Sequence, residues 1–132
     1  HVVADLFVMH RHIGDVLFAH PPNAMAFAVT GETYNTLTIP ECFVLLRDIP
    51  LLPFAQQFAQ REAFVKALSP QTPVAFIANE SVVVTGTSLL EAFDRLEVCE
   101  YSAKSLIGAR SIGTLRPISD EQKRELEQMF LG

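Results

Sequence analysis

Two short apolar runs in the second half of the chain constrain the fold more than any other feature. Residues 74–77 (VAFI) and 82–85 (VVVT) are rich in β-branched side chains, and the stretch ANES separates them. Such runs are typical of buried strands, and the polar stretch marks a point where one strand bends or two strands meet. Ser88 and Glu91 then match the capping box that opens a helix. Strands and a capped helix in direct succession predict a mixed α/β layer structure.

The first half of the chain carries further strand and helix signals. The apolar run at residues 16–19 predicts a buried strand that ends at Pro21. Residues 23–29 predict a helix of small residues, which Asn23 caps and Gly31 ends. Prolines on either side of residues 42–46 favour a short or edge strand there. The spacing of apolar residues predicts one amphipathic helix over residues 55–68.

The helix that Ser88 opens is predicted to continue to about residue 107. Its outer face is predicted to carry two i,i+4 ion pairs, Glu91 with Arg95 and Glu100 with Lys104. Its inner face is predicted to be formed by Ala92, Phe93, Leu96, Cys99, Ala103 and Leu106. A second capping box, Ser119 to Gln122, predicts a short final helix.

Length and composition indicate one folded domain over residues 1–132. Hydrophobic residues make up 49% of the chain and charged residues 19%, which is typical of a globular protein. The net charge of -5 and the scattered Lys and Arg argue against a nucleic-acid partner. No uncharged stretch is long enough to span a membrane. Cys42 and Cys99 are predicted to be reduced, buried thiols of a cytoplasmic protein. Because the chain opens without Met and directly into an apolar run, we expect either that residues before His1 are missing or that His1 is not part of the natural chain.

Three of the four histidines, His10, His12 and His20, fall within eleven residues. Neutral imidazole is a common metal ligand, so one interpretation is a metal or proton-transfer site. The other interpretation is that His10-Arg11-His12 forms a solvated turn or a helix end. No Cys or carboxylate stands beside these residues at ligand spacing, and this favours the turn. The chain also contains no glycine-rich phosphate loop.

Two segments resemble the class II aldolase/adducin family, which includes fuculose-phosphate aldolase. They are DVLFAHPPNAMAFAV and VAFIANESVVVTGTSLLEAFDRLEVCEYSAKSLI. The first is similar to the family's strand with a His-x-His-Ser-Pro end and the small-residue helix after it. The second is similar to the Asn-His-Gly turn, valine-rich strand and long helix. The resemblance implies a three-layer α/β fold with a central, mostly antiparallel sheet flanked by helices, of which the N-terminal part is absent here.

The family's metal site is only partly present in this sequence. In the family, three histidines bind a divalent ion, usually zinc, which polarises the substrate carbonyl and stabilises the enediolate. Carried over by position, the three histidines fall on Phe18, His20 and Glu80. The resemblance therefore leaves His20 and Glu80 as candidate metal residues, with no catalytic residue assigned. No cofactor is expected, and zinc is the expected ion if the site survives. A site rebuilt with His10 or His12 is an alternative.

These residues predict a class II aldolase-like protein whose zinc site has decayed and which is non-classical or inactive as an aldolase. One alternative is an active metal-dependent sugar-phosphate aldolase or epimerase with altered ligands. Another is an adducin-like interaction and assembly module. The resemblance implies self-association as a homotetramer and a small sugar phosphate as ligand. The charge, the hydropathy and the cysteines indicate a cytoplasmic protein without a nucleic-acid or membrane partner.

Overall fold

A computed structural model describes residues 1–131 of the chain. Within these residues, seven α-helices, four strands and a π-helical segment follow one another. The elements are α1 (Val2–Met9), β1 (Asp15–Ala19), α2 (Pro22–Thr30), α3 (Pro40–Leu46), β2 (Leu51–Leu52), α4 (Gln56–Ala59), α5 (Arg61–Ala67), β3 (Val74–Ile77), β4 (Ser81–Gly86), α6 (Leu89–Ile112), α7 (Asp120–Leu126) and the π-helical segment Glu127–Leu131.

The four strands form one mixed sheet in the order β1-β4-β3-β2. β4 pairs antiparallel with both β1 and β3, and the short β2 pairs parallel with β3. All six residues of β4 are buried, because helices cover both faces of the sheet. The predicted three-layer, mostly antiparallel α/β fold is therefore confirmed.

A hydrophobic core lies on each face of the sheet. On one face, α2, α3 and α6 pack on side chains that include Phe76, Val82 and Val84. On the other face, α1 and α5 pack on Ala75, Ile77 and Val83. Successive strand residues point to opposite faces, so alternate side chains of each continuous apolar run pack into the two different cores. No helix within residues 1–131 is long and apolar enough to cross a membrane.

Two predictions for the middle of the chain were wrong. Residues 42–46 lie in helix α3, not in a strand, because Pro40 takes the first helical turn, where its missing N–H costs nothing. Cys42, Phe43 and Leu46 are buried with helical spacing. The helix predicted over residues 55–68 is two short helices, α4 and α5, which are interrupted at Gln60.

The start of α2 is capped by a residue from another helix. Asn23 was predicted to cap this helix, but the N-cap is Pro21, and Asn23 lies within the helix. The carboxylate of Glu100 on α6 accepts hydrogen bonds from the backbone N–H of Asn23 (3.2 Å), the side-chain amide of Asn23 (3.1 Å) and the backbone N–H of Ala24 (2.9 Å). The predicted Glu100–Lys104 pair was therefore wrong, because the carboxylate faces α2 instead.

The long helix α6 begins where the sequence predicts. The Ser88 hydroxyl accepts a hydrogen bond from the Glu91 N–H at 3.2 Å, and Arg95 pairs with Glu91 at 3.0 Å. The Glu91 carboxylate bonds the N–H of Thr87, one residue before the cap. The helix runs to Ile112, five residues beyond the predicted end. Phe93 is 54% exposed, so its predicted place on the inner face was wrong.

Candidate functional site

The strand register places the two candidate metal residues at the same end of the sheet. His20 directly follows β1, whose last residue, Ala19, is paired with Val82. Glu80 directly precedes β4, in the turn that joins it to β3. Because β1 and β4 are antiparallel, the end of one strand lies beside the start of the other. The structure therefore brings His20 and Glu80 to one end of the sheet.

Phe18 lies on β1, two residues before His20, which directly follows the strand. Its ring stacks on that of Phe64 from α5, with the centroids 6.4 Å apart and the planes at 20°. Phe64 is fully buried in the core between α5 and the sheet, whereas Phe18 is 39% exposed. The position onto which the resemblance carries a family histidine thus holds an aromatic side chain that packs at the margin of the core.

Glu80 makes a local structural contact in the turn between β3 and β4. Its carboxylate accepts a hydrogen bond from the backbone N–H of Ala55 at 3.3 Å, immediately before α4. Ala55 has φ +60°, a left-handed conformation that is uncommon for a residue with a side chain. In the same turn, Asn79 has φ +58°, and its N–H donates to the carbonyl oxygen of Ala28 at 3.0 Å. The turn is therefore fixed against both α2 and the start of α4.

The residues at this edge do not fit a catalytic zinc ion. Such a site needs three protein ligands plus an open position. Phe18 has no donor atom, His20 offers one imidazole, and Glu80 already accepts the Ala55 N–H. Among the described residues, no group of three or more His, Cys, Asp or Glu side chains is arranged to hold a metal ion.

His10 and His12 lie at the opposite end of β1 from His20. The five residues of β1 span about 17 Å at the usual rise of about 3.3 Å per residue. His10 follows the end of α1, and its Nε2 donates to the carbonyl oxygen of Val65 at 2.7 Å. The His10 and His12 rings meet edge to face at 5.6 Å. The structure therefore does not bring either residue to His20, and the predicted helix end and turn are found here instead.

His12 is surrounded by groups that disfavour its charged form. Burial lowers its pKa below the usual 6.5, and the nearby His10 and Arg95 lower it further, while Glu91 opposes them. Within the described part of the chain, its Nε2 is buried and has no hydrogen-bond partner. A neutral imidazole is the form that this environment favours.

The lowered pKa of His12 predicts that stability falls as the solution becomes acidic. Above pH 6.5, His12 is neutral in both the folded and the unfolded chain. As the pH falls below 6.5, the unfolded chain takes up the proton first, so the free energy of unfolding decreases until the pH reaches the folded pKa. Urea unfolding between pH 8 and about pH 5 should show this slope, and His12→Gln should reduce it. Parallel pH profiles for the two proteins would contradict the prediction.

The two thiols are structural. Cys42 and Cys99 are both free and buried, as predicted. The Tyr34 hydroxyl donates to the carbonyl oxygen of Cys99 at 2.8 Å. Burial raises the pKa of the Cys99 thiol to about 12, so the reactive thiolate is scarce at neutral pH.

No local sequence pattern marks the residues that surround the candidate site. Phe64, which stacks on Phe18, and Ala55, which bonds Glu80, lie 46 and 25 residues from their partners in the chain. Beside Ala55, Phe54 is 65% exposed, and Phe58 on α4 is 73% exposed. Such pairings depend on tertiary packing, and no local pattern marks them. What this edge offers to a ligand is one imidazole, one carboxylate and several aromatic surfaces.

Solved structures of longer proteins share this fold. YgbL, a putative aldolase/epimerase/decarboxylase from Escherichia coli, matches with a TM-score of 0.82 at 20% identity over 95% of this chain and 62% of that chain. YgbL from Klebsiella pneumoniae matches with a TM-score of 0.78 at 20% identity and the same coverage. L-fuculose 1-phosphate aldolase from Glaciozyma antarctica PI12 matches with a TM-score of 0.77 at 16% identity over 97% of this chain and 49% of that chain.

This chain thus spans about half to six tenths of the length of those structures. No curated protein matches it. The family model described as the Class II Aldolase and Adducin N-terminal domain matches residues 4–107, which is more than half of the sequence. On that match, with the same fold in solved aldolase structures, the chain belongs to the class II aldolase and adducin family.

Proposed function

We propose that this chain does not carry out zinc-dependent aldol cleavage and serves as a binding and assembly module built on the class II aldolase fold. The observation that carries the proposal is Phe18. The resemblance carries the first of the family's metal-binding histidines onto this residue, and its ring stacks on the buried ring of Phe64. A ligand position filled by a side chain without a donor atom cannot contribute to a metal site.

The absence of a metal ligand at Phe18 matters because only two candidate ligands, His20 and Glu80, remain. One imidazole and one carboxylate fall short of the three ligands of a catalytic zinc site, so zinc affinity is expected to be low. The carboxylate of Glu80 would also have to exchange its bond to the Ala55 N–H for a metal contact. The stabilisation of an enediolate by a metal ion, a contribution of several kcal/mol, would then be missing.

The zinc content of the protein tests the proposal directly. This measurement can be made on the present chain, although the chain is shorter than the matched aldolase structures. After exposure to zinc and dialysis, the unmodified protein should hold well under one zinc ion per chain. The double variant Phe18→His with Glu80→His should gain zinc, because it restores two imidazoles beside His20. Elemental analysis gives the measurement. Cleavage of fuculose phosphate by the unmodified protein should stay at background.

Two further substitutions make the zinc test specific. In the double variant, His20→Ala should remove the gained zinc, whereas His12→Gln should leave it, because His12 lies at the other end of β1. The proposal fails if the unmodified protein retains about one zinc per chain and loses it on His20→Ala. That result would support an active metal-dependent aldolase or epimerase in which Glu80 is a working ligand.

The binding role is proposed to involve self-association in the cytoplasm, as a homotetramer, with a small sugar phosphate as ligand. Membership of the family supports the oligomer and the ligand class. Exposed apolar side chains support an interface, since Phe54, Phe58 and Phe93 are each more than half exposed.

A further inference from the structure

The short helix α4 lies between two breaks in the backbone. Ala55, its N-cap, has φ +60°, a left-handed conformation that is unfavourable for a residue with a Cβ atom. Gln60, which ends the helix, has φ -135° and ψ 60° and separates α4 from α5. The helix between these two residues is little more than one turn long. A short segment with such ends can rotate as a unit through changes in a few backbone angles.

Few contacts hold this segment against the rest of the fold. Among the described residues, neither hydrophobic core includes a side chain from residues 54–60. Within residues 1–131, the bond from the Ala55 N–H to the Glu80 carboxylate is the one hydrogen bond that joins residues 54–59 to a distant part of the chain. At 3.3 Å it is long for a bond to a carboxylate. Segments with few buried apolar contacts open at a low cost in free energy.

The residue that α4 buries is polar and has no hydrogen-bond partner for its carbonyl oxygen. Gln57 is 4% exposed, and its Oε1 is buried without a donor among the described residues. The next residue, Phe58, points away from the fold. A helix on a protein surface normally buries its apolar side chains and exposes its polar ones. A buried amide without a partner is unfavourable, so both Gln57 and the left-handed Ala55 disfavour the closed position of α4.

α4 lies at the end of the sheet that carries the candidate site. The chain before it follows β3, because the carbonyl oxygen of Leu52 accepts the N–H of Ala78 at 2.9 Å. Ala55, immediately before the helix, then meets Glu80 in the turn between β3 and β4. The register of β1 with β4 brings His20 beside the same turn. Movement of α4 away from the sheet therefore uncovers this end of it.

We propose that residues 54–60 form a hinged lid at the candidate site, which opens by rotation about Ala55 and Gln60. In the open form the Glu80 carboxylate is released from the Ala55 N–H, and the amide of Gln57 is uncovered beside it. Carboxylate and carboxamide oxygens accept hydrogen bonds from hydroxyl groups, so a ligand rich in hydroxyl groups would hold the lid open.

This inference rests on the proposed function for the position of the site. The two can fail separately, because zinc content does not report on the movement of α4, and the rate at which α4 opens does not report on zinc.

Labelling of a thiol at position 57 measures the opening. In the Gln57→Cys variant the new thiol is covered in the closed form and accessible in the open form. The native Cys42 and Cys99 are buried, so they react only when the core itself opens, and they serve as internal standards. With a maleimide, the thiol at position 57 should react on the order of a hundredfold faster than either standard. Low concentrations of urea should accelerate the standards and leave position 57 nearly unchanged, because a local opening exposes little surface.

Two substitutions in the Gln57→Cys background test the hinge and the contact that closes the lid. Glu80→Ala removes the acceptor of the Ala55 N–H and should raise the labelling rate about threefold. Ala55→Gly should lower it about threefold, because Gly adopts a positive φ without strain and so stabilises the closed form. Ala63→Gly is the matched control. Ala63 lies within α5 at a negative φ, and its replacement should not slow the labelling.

The inference is overturned if the thiol at position 57 reacts no faster than Cys42 and Cys99, because the lid would then stay closed until the core opens. It is equally overturned if labelling is fast but is unchanged in both Glu80→Ala and Ala55→Gly.

Amide exchange provides a second measurement that needs no cysteine variant and therefore does not depend on the folding of Gln57→Cys. The amides of residues 58–60 should exchange faster in Glu80→Ala than in the unmodified protein, whereas the amide of Val65 on α5 should be unchanged. Equal exchange rates for residues 58–60 in the two proteins would show that Glu80 does not hold the lid, and would also overturn the inference.

Discussion

Replacing Gly14 with Ala is expected to destabilise the protein by about 3 kcal/mol, at the upper end of the usual cost of overpacking. A Cβ atom at Gly14 would lie 2.1 Å from the carbonyl oxygen of Thr87 and 2.9 Å from its carbonyl carbon. Both atoms belong to the backbone that leads into α6, so no side-chain rotation can relieve the clash. Gly14 is also held from its other side, because its N–H donates to the carbonyl oxygen of Gly86 at 2.8 Å.

Gly108 is the matched control for Gly14. It lies in the interior of α6, and a Cβ atom there would meet nothing within 4 Å. Gly108→Ala should therefore stabilise the protein by about 0.5 to 1 kcal/mol, through higher helix propensity. Urea denaturation of the two variants measures both changes. A Gly14→Ala midpoint equal to that of the unmodified protein would show that the start of α6 can move away from β1.

Phe64→Ala is expected to cost about 3 to 5 kcal/mol, as the truncation of a buried phenylalanine usually does. Phe64 is fully buried in the core between α5 and the sheet, where it packs among Leu6, Leu68 and Val83. Its removal leaves a cavity and also takes away the ring on which Phe18 stacks. Loss of this contact frees the side chain of Phe18.

Phe58→Ala provides the comparison for Phe64. Phe58 lies on α4, six residues earlier, but is 73% exposed, so its truncation should change the free energy of unfolding by no more than about 0.5 kcal/mol. Chemical denaturation with an unchanged m-value measures both effects. Equal losses in the two variants would show that α5 does not anchor this core.

The parts of the fold that were predictable from the sequence are those with local signals. β3 and β4 are each buried on both faces, so their continuous apolar runs predict strands without any knowledge of the neighbouring elements. Ser88 caps α6 through a bond to a residue three positions away, which a local pattern can reveal. α3 was missed because its prolines were read as strand breakers, although Pro40 favours the first turn of a helix.

The surroundings of the candidate site were beyond the reach of sequence reasoning. The resemblance assigned His20 and Glu80 to one metal site, and the strand register brings them to one end of the sheet. It could not reveal that Phe18 packs on Phe64 or that Glu80 bonds the start of α4. These contacts join residues far apart in the chain, and they arise from the packing of α4 and α5 against the sheet.

The first turn of α2 depends on the presence of α6, because the carboxylate of Glu100 on α6 accepts hydrogen bonds from the N–H groups of that turn. An isolated helix of nine residues is marginal in water, and the first N–H groups of α2 are satisfied by a residue 77 positions later. During synthesis, α2 must therefore wait for residue 100 to leave the ribosome before its first turn acquires this cap. A fragment that ends before α6 would contain every residue of α2 without the partner that completes it.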